Sequence, residues 1–218
     1  MPQPTRQGNE APTASHILPP HTVLRDFLAA DEVEELLEYA VANESTFAPT
    51  GVGRAKQAAF KPQIRVSLGT RELGPFEPVL TDKLRASLPE LTARLRTETV
   101  DDPKFELQLV AHGDGAFYRR HIDTRTGGGR DLIRVLSGVY YFHARPKAFT
   151  GGALRLYALG DPDWRAFADI APDHNSLLVF PSWAPHEVMS VSCPSKRFAD
   201  SRFAINCWIR RPRLAPGA

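Results

Sequence analysis

Apolar positions in the first half of the chain recur with the period of an α-helix. From Asp31 onward they follow the i, i+3, i+4, i+7, i+8 spacing of a single helical face, which predicts an amphipathic helix. These positions are Val33, Leu36, Leu37, Ala40 and Val41. A second helix is predicted after Pro75, with a break or bend at Pro89, because proline removes a backbone hydrogen-bond donor. Its apolar side consists of Leu80, Leu84, Leu88, Leu91 and Leu95.

The second half of the chain has the pattern of short β-strands separated by Gly, Pro and Asp. Many short strands of this kind predict an antiparallel sandwich or barrel. Helices followed by strands indicate an α+β protein, and we expect a double-stranded β-helix, or jelly roll, with N-terminal helices that brace one sheet. The core should lie at about residues 104–211. The apolar runs are residues 105–111, 132–136, 138–142, 153–157, 176–180 and 202–209.

The extent of the helix and strand patterns along the chain predicts its domain organisation. Residues 1–20 contain five prolines among polar residues, so we expect a flexible tail that buries little. Residues 21–218 should form a single domain, because 218 residues with a hydrophobic share of 42% can bury a sizeable core. The weakly patterned stretch 45–63 is either a mobile loop over a site or an ordinary surface connection.

Charge and cysteine content narrow the class of protein. Lys and Arg number 27 against 25 Asp and Glu, and this balance gives no reason to expect nucleic acid as a partner. Cys193 and Cys207 are too few for a disulfide framework and lack the Cys-x-x-Cys spacing of a zinc site. No apolar run resembles a signal peptide or a membrane span. We therefore expect a cytoplasmic protein with no membrane partner.

Three residues form a candidate metal site. His121 and Asp123 are two positions apart, so on an extended strand or at its edge both side chains point to one face. His186 follows an apolar strand and by itself could be a core histidine. Two histidines and one carboxylate together form the facial triad of non-haem Fe(II) oxygenases, which leaves one face of the octahedron open. Zinc more often has a closed tetrahedral set of ligands.

Arg202 is a candidate anion-binding residue. It begins an alternating apolar strand, where an unpaired guanidinium is costly to bury, so it either reaches solvent or meets an anion. Its planar group matches a carboxylate with two hydrogen bonds. If the metal takes the 2-oxo acid end of 2-oxoglutarate, the distal carboxylate needs such a cation. Tyr141 or Tyr140 can supply a hydroxyl to the same carboxylate.

Seven segments of the chain resemble, in order, the prolyl 4-hydroxylase branch of the 2-oxoglutarate/Fe(II) dioxygenases, and particularly the hypoxia-factor prolyl hydroxylases. They lie between about residues 110 and 208. The segments are 113–123, 139–142, 150–156, 169–172, 178–180, 185–188 and 202–205. The resemblance implies metal ligation by His121, Asp123 and His186. It also implies that Arg202 and Tyr141 bind the distal carboxylate of 2-oxoglutarate, and that Tyr118 lines the pocket.

The resemblance implies an activity as well as a fold. The reaction would hydroxylate an unactivated C–H bond with Fe(II), 2-oxoglutarate and O₂, and with L-ascorbate as the expected reductant. A peptidyl or protein proline is the first choice of substrate, and a free amino acid or peptide natural product is the alternative. Outside this class, the chain could be a non-catalytic jelly-roll binding module or a cupin-like zinc hydrolase. The oligomeric state stays open.

Two departures from the family pattern leave residue assignments open. The segment between His186 and Arg202 is longer than in the hypoxia-factor enzymes, which makes Arg197 a rival to Arg202 as the carboxylate-binding cation. Ala111 and His112 occupy the place where many relatives have a tyrosine directed at 2-oxoglutarate. His112 either substitutes for that tyrosine or points to solvent.

Overall fold

Strands dominate the architecture of the protein. The structure is a computed structural model that describes residues 16–51, 61–124 and 132–212. Within these ranges the chain forms two α-helices and fourteen β-strands. In chain order they are β1 (Thr22–Arg25), α1 (Ala30–Ala42), β2 (Ala48–Pro49), β3 (Arg65–Val66), β4 (Leu68–Thr70), α2 (Phe76–Leu95), β5 (Lys104–His112), β6 (Phe117–His121), β7 (Leu132–Phe142), β8 (Thr150–Gly151), β9 (Leu154–Tyr157), β10 (Phe167–Ile170), β11 (Ser176–Pro181), β12 (His186–Val188), β13 (Val191–Ser192) and β14 (Arg202–Pro212).

The strands form two antiparallel sheets packed face to face. In the described residues the major sheet has seven strands in the order β1-β11-β7-β14-β5-β4-β2. The minor sheet has five strands in the order β10-β9-β12-β6-β3, and β13 pairs separately with β8. Apolar residues of β7, β11 and β14 pack between the sheets against Leu154 and Leu156 of β9. This arrangement is the double-stranded β-helix that the sequence predicts.

The two helices cover the outer face of the major sheet. Leu36 of α1 and Leu80 and Leu84 of α2 are fully buried against that face. Both helices lie where the periodicity places them, which confirms that prediction. No helix in the described ranges has the length and apolar character that a membrane span requires.

Helix α2 continues through Pro89, so the predicted break does not occur. Proline in a helix interior costs about 3 kcal/mol through a lost hydrogen bond and a steric clash. Leu88 and Leu91, on either side of Pro89, remain buried in the core below the helix. Burial of each leucine contributes roughly 1.5 to 3 kcal/mol, which is enough to offset the cost of the proline.

The alternation of side chains along β7 decides which tyrosine faces the space between the sheets. Tyr140 packs on the helix side and donates a hydrogen bond to the side-chain oxygen of Asn175 at 2.9 Å. Tyr141 belongs to the core between the sheets. The runs 132–136 and 138–142 are also one strand rather than two, because Ser137 and Gly138 pair with neighbours on both sides. Of the two tyrosines, only Tyr141 therefore faces the space between the sheets.

Two predicted segments lie largely outside the described residues. Of the tail expected over residues 1–20, residues 1–15 are not described, while Ile17 and Leu159 exchange backbone hydrogen bonds of 2.9 and 3.3 Å. Of the weakly patterned stretch 45–63, residues 52–60 are not described. The single domain expected from residue 21 onward stays a prediction.

We expect Leu84→Ala to lower the free energy of unfolding by about 2 to 5 kcal/mol, because it leaves a cavity between α2 and the sheet. Urea denaturation followed by circular dichroism measures this change. Asp82→Ala on the exposed side of the same helix is the control and should change stability by less than about 0.5 kcal/mol. Similar stability of the two variants would contradict the described packing of α2.

Candidate metal centre and anion pocket

Strand pairing in the minor sheet brings the three predicted metal ligands together. His121 ends β6 and His186 begins β12, and the two residues are register partners. Their ring centroids are 4.1 Å apart. Asp123 lies just beyond β6, where its backbone N–H donates to the carbonyl of Ser182 at 2.9 Å. One ligand atom from each of the three residues lies within 4.8 Å of the others.

Hydrogen bonds orient both imidazoles toward the carboxylate. Nδ1 of His121 is 2.8 Å from the carbonyl oxygen of Arg119, and Nδ1 of His186 is 2.9 Å from that of Ala184. Because a carbonyl only accepts, each Nδ1 carries a hydrogen, so Nε2 is the ring nitrogen available to a metal. The Nε2 atoms are 3.8 and 3.7 Å from the Asp123 carboxylate. Burial and the neighbouring His186 lower the pKa of His121 to about 3, which favours its neutral form.

Ser137, on the major-sheet side, orients the carboxylate of Asp123. The hydroxyl of Ser137 donates to Oδ2 at 2.7 Å, and it lies 2.9 Å from the hydroxyl of Ser182. Burial opposes ionisation, but the adjacent imidazoles and the Ser137 hydrogen bond keep the pKa of Asp123 below its ordinary value. Two imidazoles and one carboxylate on one side of a cavity fit Fe(II) with open coordination positions.

Arg202 forms a candidate anion pocket in the same cavity. Its side chain is 1% exposed, and its guanidinium lies over the ring of Tyr141 at 4.7 Å. Within the described ranges, Nε and Nη2 of Arg202 and the hydroxyl of Tyr141 have no hydrogen-bond partner. Burial raises the pKa of Tyr141 to about 12, so its hydroxyl is a neutral donor. Buried unpaired donors are costly, and a carboxylate would satisfy all three.

Gly152 makes room for the side chain of Arg202. Its φ is +70°, in the left-handed region that favours glycine. A Cβ at this position would lie 2.6 Å from Cδ of Arg202 and 3.1 Å from Nε. The tight turn at Gly151 and Gly152 before β9 therefore lies directly against the side chain of Arg202.

Tyr118 and Arg65 close another side of the cavity. Tyr118 stacks on His121 with ring centroids 3.6 Å apart, and the guanidinium of Arg65 lies 4.8 Å from the Tyr118 ring centre. Arg65 is 7% exposed and donates from Nε to the hydroxyl of Ser67 at 2.9 Å. Arg65 is not among the site residues that the sequence predicts. Its only signal is the short alternation in Ile64-Arg65-Val66-Ser67, which matches no motif.

The structure decides whether Arg197 and His112, whose roles the sequence leaves open, reach the cavity. The side chain of Arg197 is 74% exposed and pairs with Asp200 at 2.8 Å, so it does not enter the cavity. His112 is 3% exposed and lines the cavity, so of the two alternatives left open for it, pointing to solvent is wrong. Antiparallel pairing of β5 with β14 places it opposite Arg202 and turns its ring inward.

We expect Ser137→Ala to weaken Mn(II) binding by roughly 10- to 100-fold, because it removes the hydrogen bond that orients the Asp123 carboxylate. Calorimetric titration of the metal-free protein measures the affinity. Ser87→Ala, which removes a hydroxyl bonded only to a carbonyl of α2, is the control and should bind Mn(II) like the parent. Unchanged affinity in a folded Ser137 variant would exclude this role for the serine.

Comparison with known sequences agrees with the geometry of the cavity. Residues 107–210 match the model of the 2OG-Fe(II) oxygenase superfamily. The chain is 34% identical over 198 residues to an uncharacterized PKHD-type hydroxylase of Synechocystis sp., an alignment that covers 86% of this chain and 62% of the relative. It is also 34% identical over 101 residues to human Egl nine homolog 1, covering 44% of this chain and 20% of that protein. The chain thus spans less than two thirds of the length of these relatives.

Solved structures share the fold. A prolyl-4-hydroxylase of Pseudomonas putida superposes with a TM-score of 0.61 and 25% identity, covering 88% of this chain and 93% of that one. A prolyl hydroxylase of Trichoplax adhaerens, in complex with a peptide fragment of the hypoxia inducible factor oxygen degradation domain, has a TM-score of 0.60 and 22% identity. It covers 87% of this chain and 83% of that one. Both neighbours confirm the predicted fold, and the Pseudomonas putida structure agrees with the resemblance to prolyl 4-hydroxylases.

Proposed function

We propose that the protein is an Fe(II)- and 2-oxoglutarate-dependent dioxygenase that hydroxylates a C–H bond, because residues 107–210 match the model of the 2OG-Fe(II) oxygenase superfamily. One observation carries the proposal: an open His-Asp-His set and a buried arginine with two unpaired donors line the same cavity. A metal-binding module has no need for the arginine. Bound iron, with 2-oxoglutarate and O₂, supplies the oxidative chemistry, and the cosubstrate leaves as succinate and CO₂.

Each part of the cavity has a distinct role in this proposal. His121, Asp123 and His186 would hold the metal on one face and leave the opposite positions open. Arg202 would bind the distal carboxylate through Nε and Nη2, and Tyr141 would donate its hydroxyl to the same group. The sheets on both sides limit the access of water to the cavity, which strengthens these electrostatic contacts.

The proposed substrate is a peptidyl or protein proline. The resemblance to prolyl 4-hydroxylases supports this choice, since a P. putida enzyme of that kind is 25% identical over most of this chain. A free amino acid or a peptide natural product is the second candidate, and Arg65 favours it. Among the described residues this buried cation has no ion pair, and a substrate carboxylate would provide one.

The proposal also includes a reductant and a cellular compartment. L-ascorbate as the reductant rests on the resemblance alone. A reducing, cytoplasmic setting is supported by the state of the two cysteines, because Cys193 and Cys207 are both buried and unpaired. The balance of charges supports a small molecule or peptide, rather than nucleic acid, as the partner.

Two measurements test the proposed class and its substrate. Anaerobic addition of Fe(II) and then 2-oxoglutarate should produce a weak visible charge-transfer band, which a binding module or a zinc hydrolase would lack. Succinate release is then screened against proline peptides and free amino acids. Absence of both the band and succinate release would refute the dioxygenase assignment. Release with amino acids but not with peptides would select the second substrate class.

We expect His186→Ala, and likewise His121→Ala and Asp123→Ala, to abolish iron-dependent succinate release, because three ligands on one open face act as a unit. Circular dichroism should show an intact fold. His21→Ala on the exposed surface is the control and should behave like the parent. Near-parental turnover of the His186 variant under iron-limited conditions would remove His186 from the ligand set.

Arg202→Ala should raise the apparent constant for 2-oxoglutarate by roughly 30- to 1000-fold, since a charge-assisted contact in a dry pocket contributes about 2 to 4 kcal/mol. Metal affinity should stay the same. A monocarboxylic 2-oxo acid should lose its disadvantage relative to 2-oxoglutarate in this variant.

Arg197→Ala is the matched control for this experiment, because it removes an exposed arginine from the neighbouring loop. It should bind 2-oxoglutarate like the parent. A large defect in the Arg197 variant, with little effect in the Arg202 variant, would show that the anion pocket is assigned to the wrong arginine.

A further inference from the structure

His112 is a buried imidazole that the proposed function does not use. It ends β5, is 3% exposed and lines the cavity that holds the candidate metal site. Its register partner across the sheet is Arg202, and Nδ1 of His112 lies 3.3 Å from Nη1 of that arginine. The ring of His112 therefore contacts Nη1 of Arg202 and leaves the unpaired donors of that arginine, Nε and Nη2, untouched.

The chemistry of the two groups fixes the direction of this hydrogen bond. A guanidinium has only donors, so Nδ1 of His112 must accept and the hydrogen of the ring must be on Nε2. The ring is then neutral. Burial and the positive charges of Arg202 and Arg65 hold the pKa of His112 well below its ordinary value, in agreement with that form.

The hydrogen bond that Nη1 donates to His112 leaves one edge of the guanidinium free. Nε and Nη2 lie side by side on one edge, and their two N–H groups match the two oxygens of a carboxylate. These are the two nitrogens of Arg202 that have no partner among the described residues. The ring of Tyr141 lies against the face of the group, and Gly152 lies against its stem.

We propose that His112 is a positioning residue for the cosubstrate site: by accepting from Nη1 it sets the rotation of the Arg202 guanidinium, so that the Nε–Nη2 edge faces the carboxylate. This inference rests on the proposed function, because the carboxylate is the distal group of 2-oxoglutarate. It differs from direct contact, in which His112 would donate from Nε2 to the cosubstrate itself. The two roles use opposite nitrogens of the same ring.

Three substitutions separate these roles. His112→Asn places an amide oxygen at about the position of Nδ1, His112→Gln extends its polar group toward the position of Nε2, and His112→Leu keeps only the volume. The dissociation constant of 2-oxoglutarate is measured by calorimetry on Mn(II)-loaded protein, which binds the cosubstrate without turnover.

The positioning role predicts a specific order of affinities. His112→Asn should bind 2-oxoglutarate within about threefold of the parent, whereas His112→Gln and His112→Leu should bind it about 5- to 30-fold more weakly, as expected for one lost hydrogen bond to a charged group. Binding of 2-oxobutanoate, which lacks the distal carboxylate, should be the same in all four proteins. Parental affinity of His112→Gln with weak binding by His112→Asn would overturn the inference in favour of direct contact.

A second measurement needs no cosubstrate and no variant. The ¹⁵N resonances of His112 in the metal-free parent protein should show a neutral ring with its hydrogen on Nε2 at pH 7. A hydrogen on Nδ1, or a charged ring, would overturn the inference. Equal affinities of all three variants, whether parental or weak, would also overturn it. A parent that binds no 2-oxoglutarate would instead refute the proposed function, so the two failures are distinguishable.

Discussion

The central strands of the major sheet are apolar on both faces, and the rest of the fold depends on this constraint. Side chains of both parities are buried along β7 and β11, so neither face of the sheet can be left to water. Two helices cover one face, and the minor sheet covers the other. The space between the sheets is therefore largely dry, and any charge within it needs a partner.

The polar groups within that space form two sets: one set lacks a cation, and the other lacks an anion. Asp123 and the two imidazoles present lone pairs to one point, which suits a cation. Arg202 and Tyr141 present hydrogen-bond donors, which suit an anion. A ligand that chelates a metal at one end and carries a carboxylate at the other would satisfy both groups at once. This complementarity supports 2-oxoglutarate over a metal ion or an anion alone.

Periodicity is enough to predict both helices and the longer strands, because burying one side of an element imposes its period on the sequence. Spacing and resemblance also select His121, Asp123 and His186, which the fold then brings together. Arg65 belongs to no motif that could identify it, since it reaches the cavity through pairing of β3 with β6, two segments that are distant in the sequence. The sequence alone also does not show which way the His112 side chain points, because the pairing of β5 with β14 decides which β5 side chains face the cavity.

Pairing between distant strands also determines when, during synthesis, the cavity can exist. His121 leaves the ribosome well before His186, its cross-strand partner, and Arg202 follows both. The last strand completes the cavity only after it inserts between β5 and β7. Closing such long loops takes more time than forming helices, whose contacts are local. The three candidate metal ligands and Arg202 therefore share one cavity only after these long-range pairings have formed.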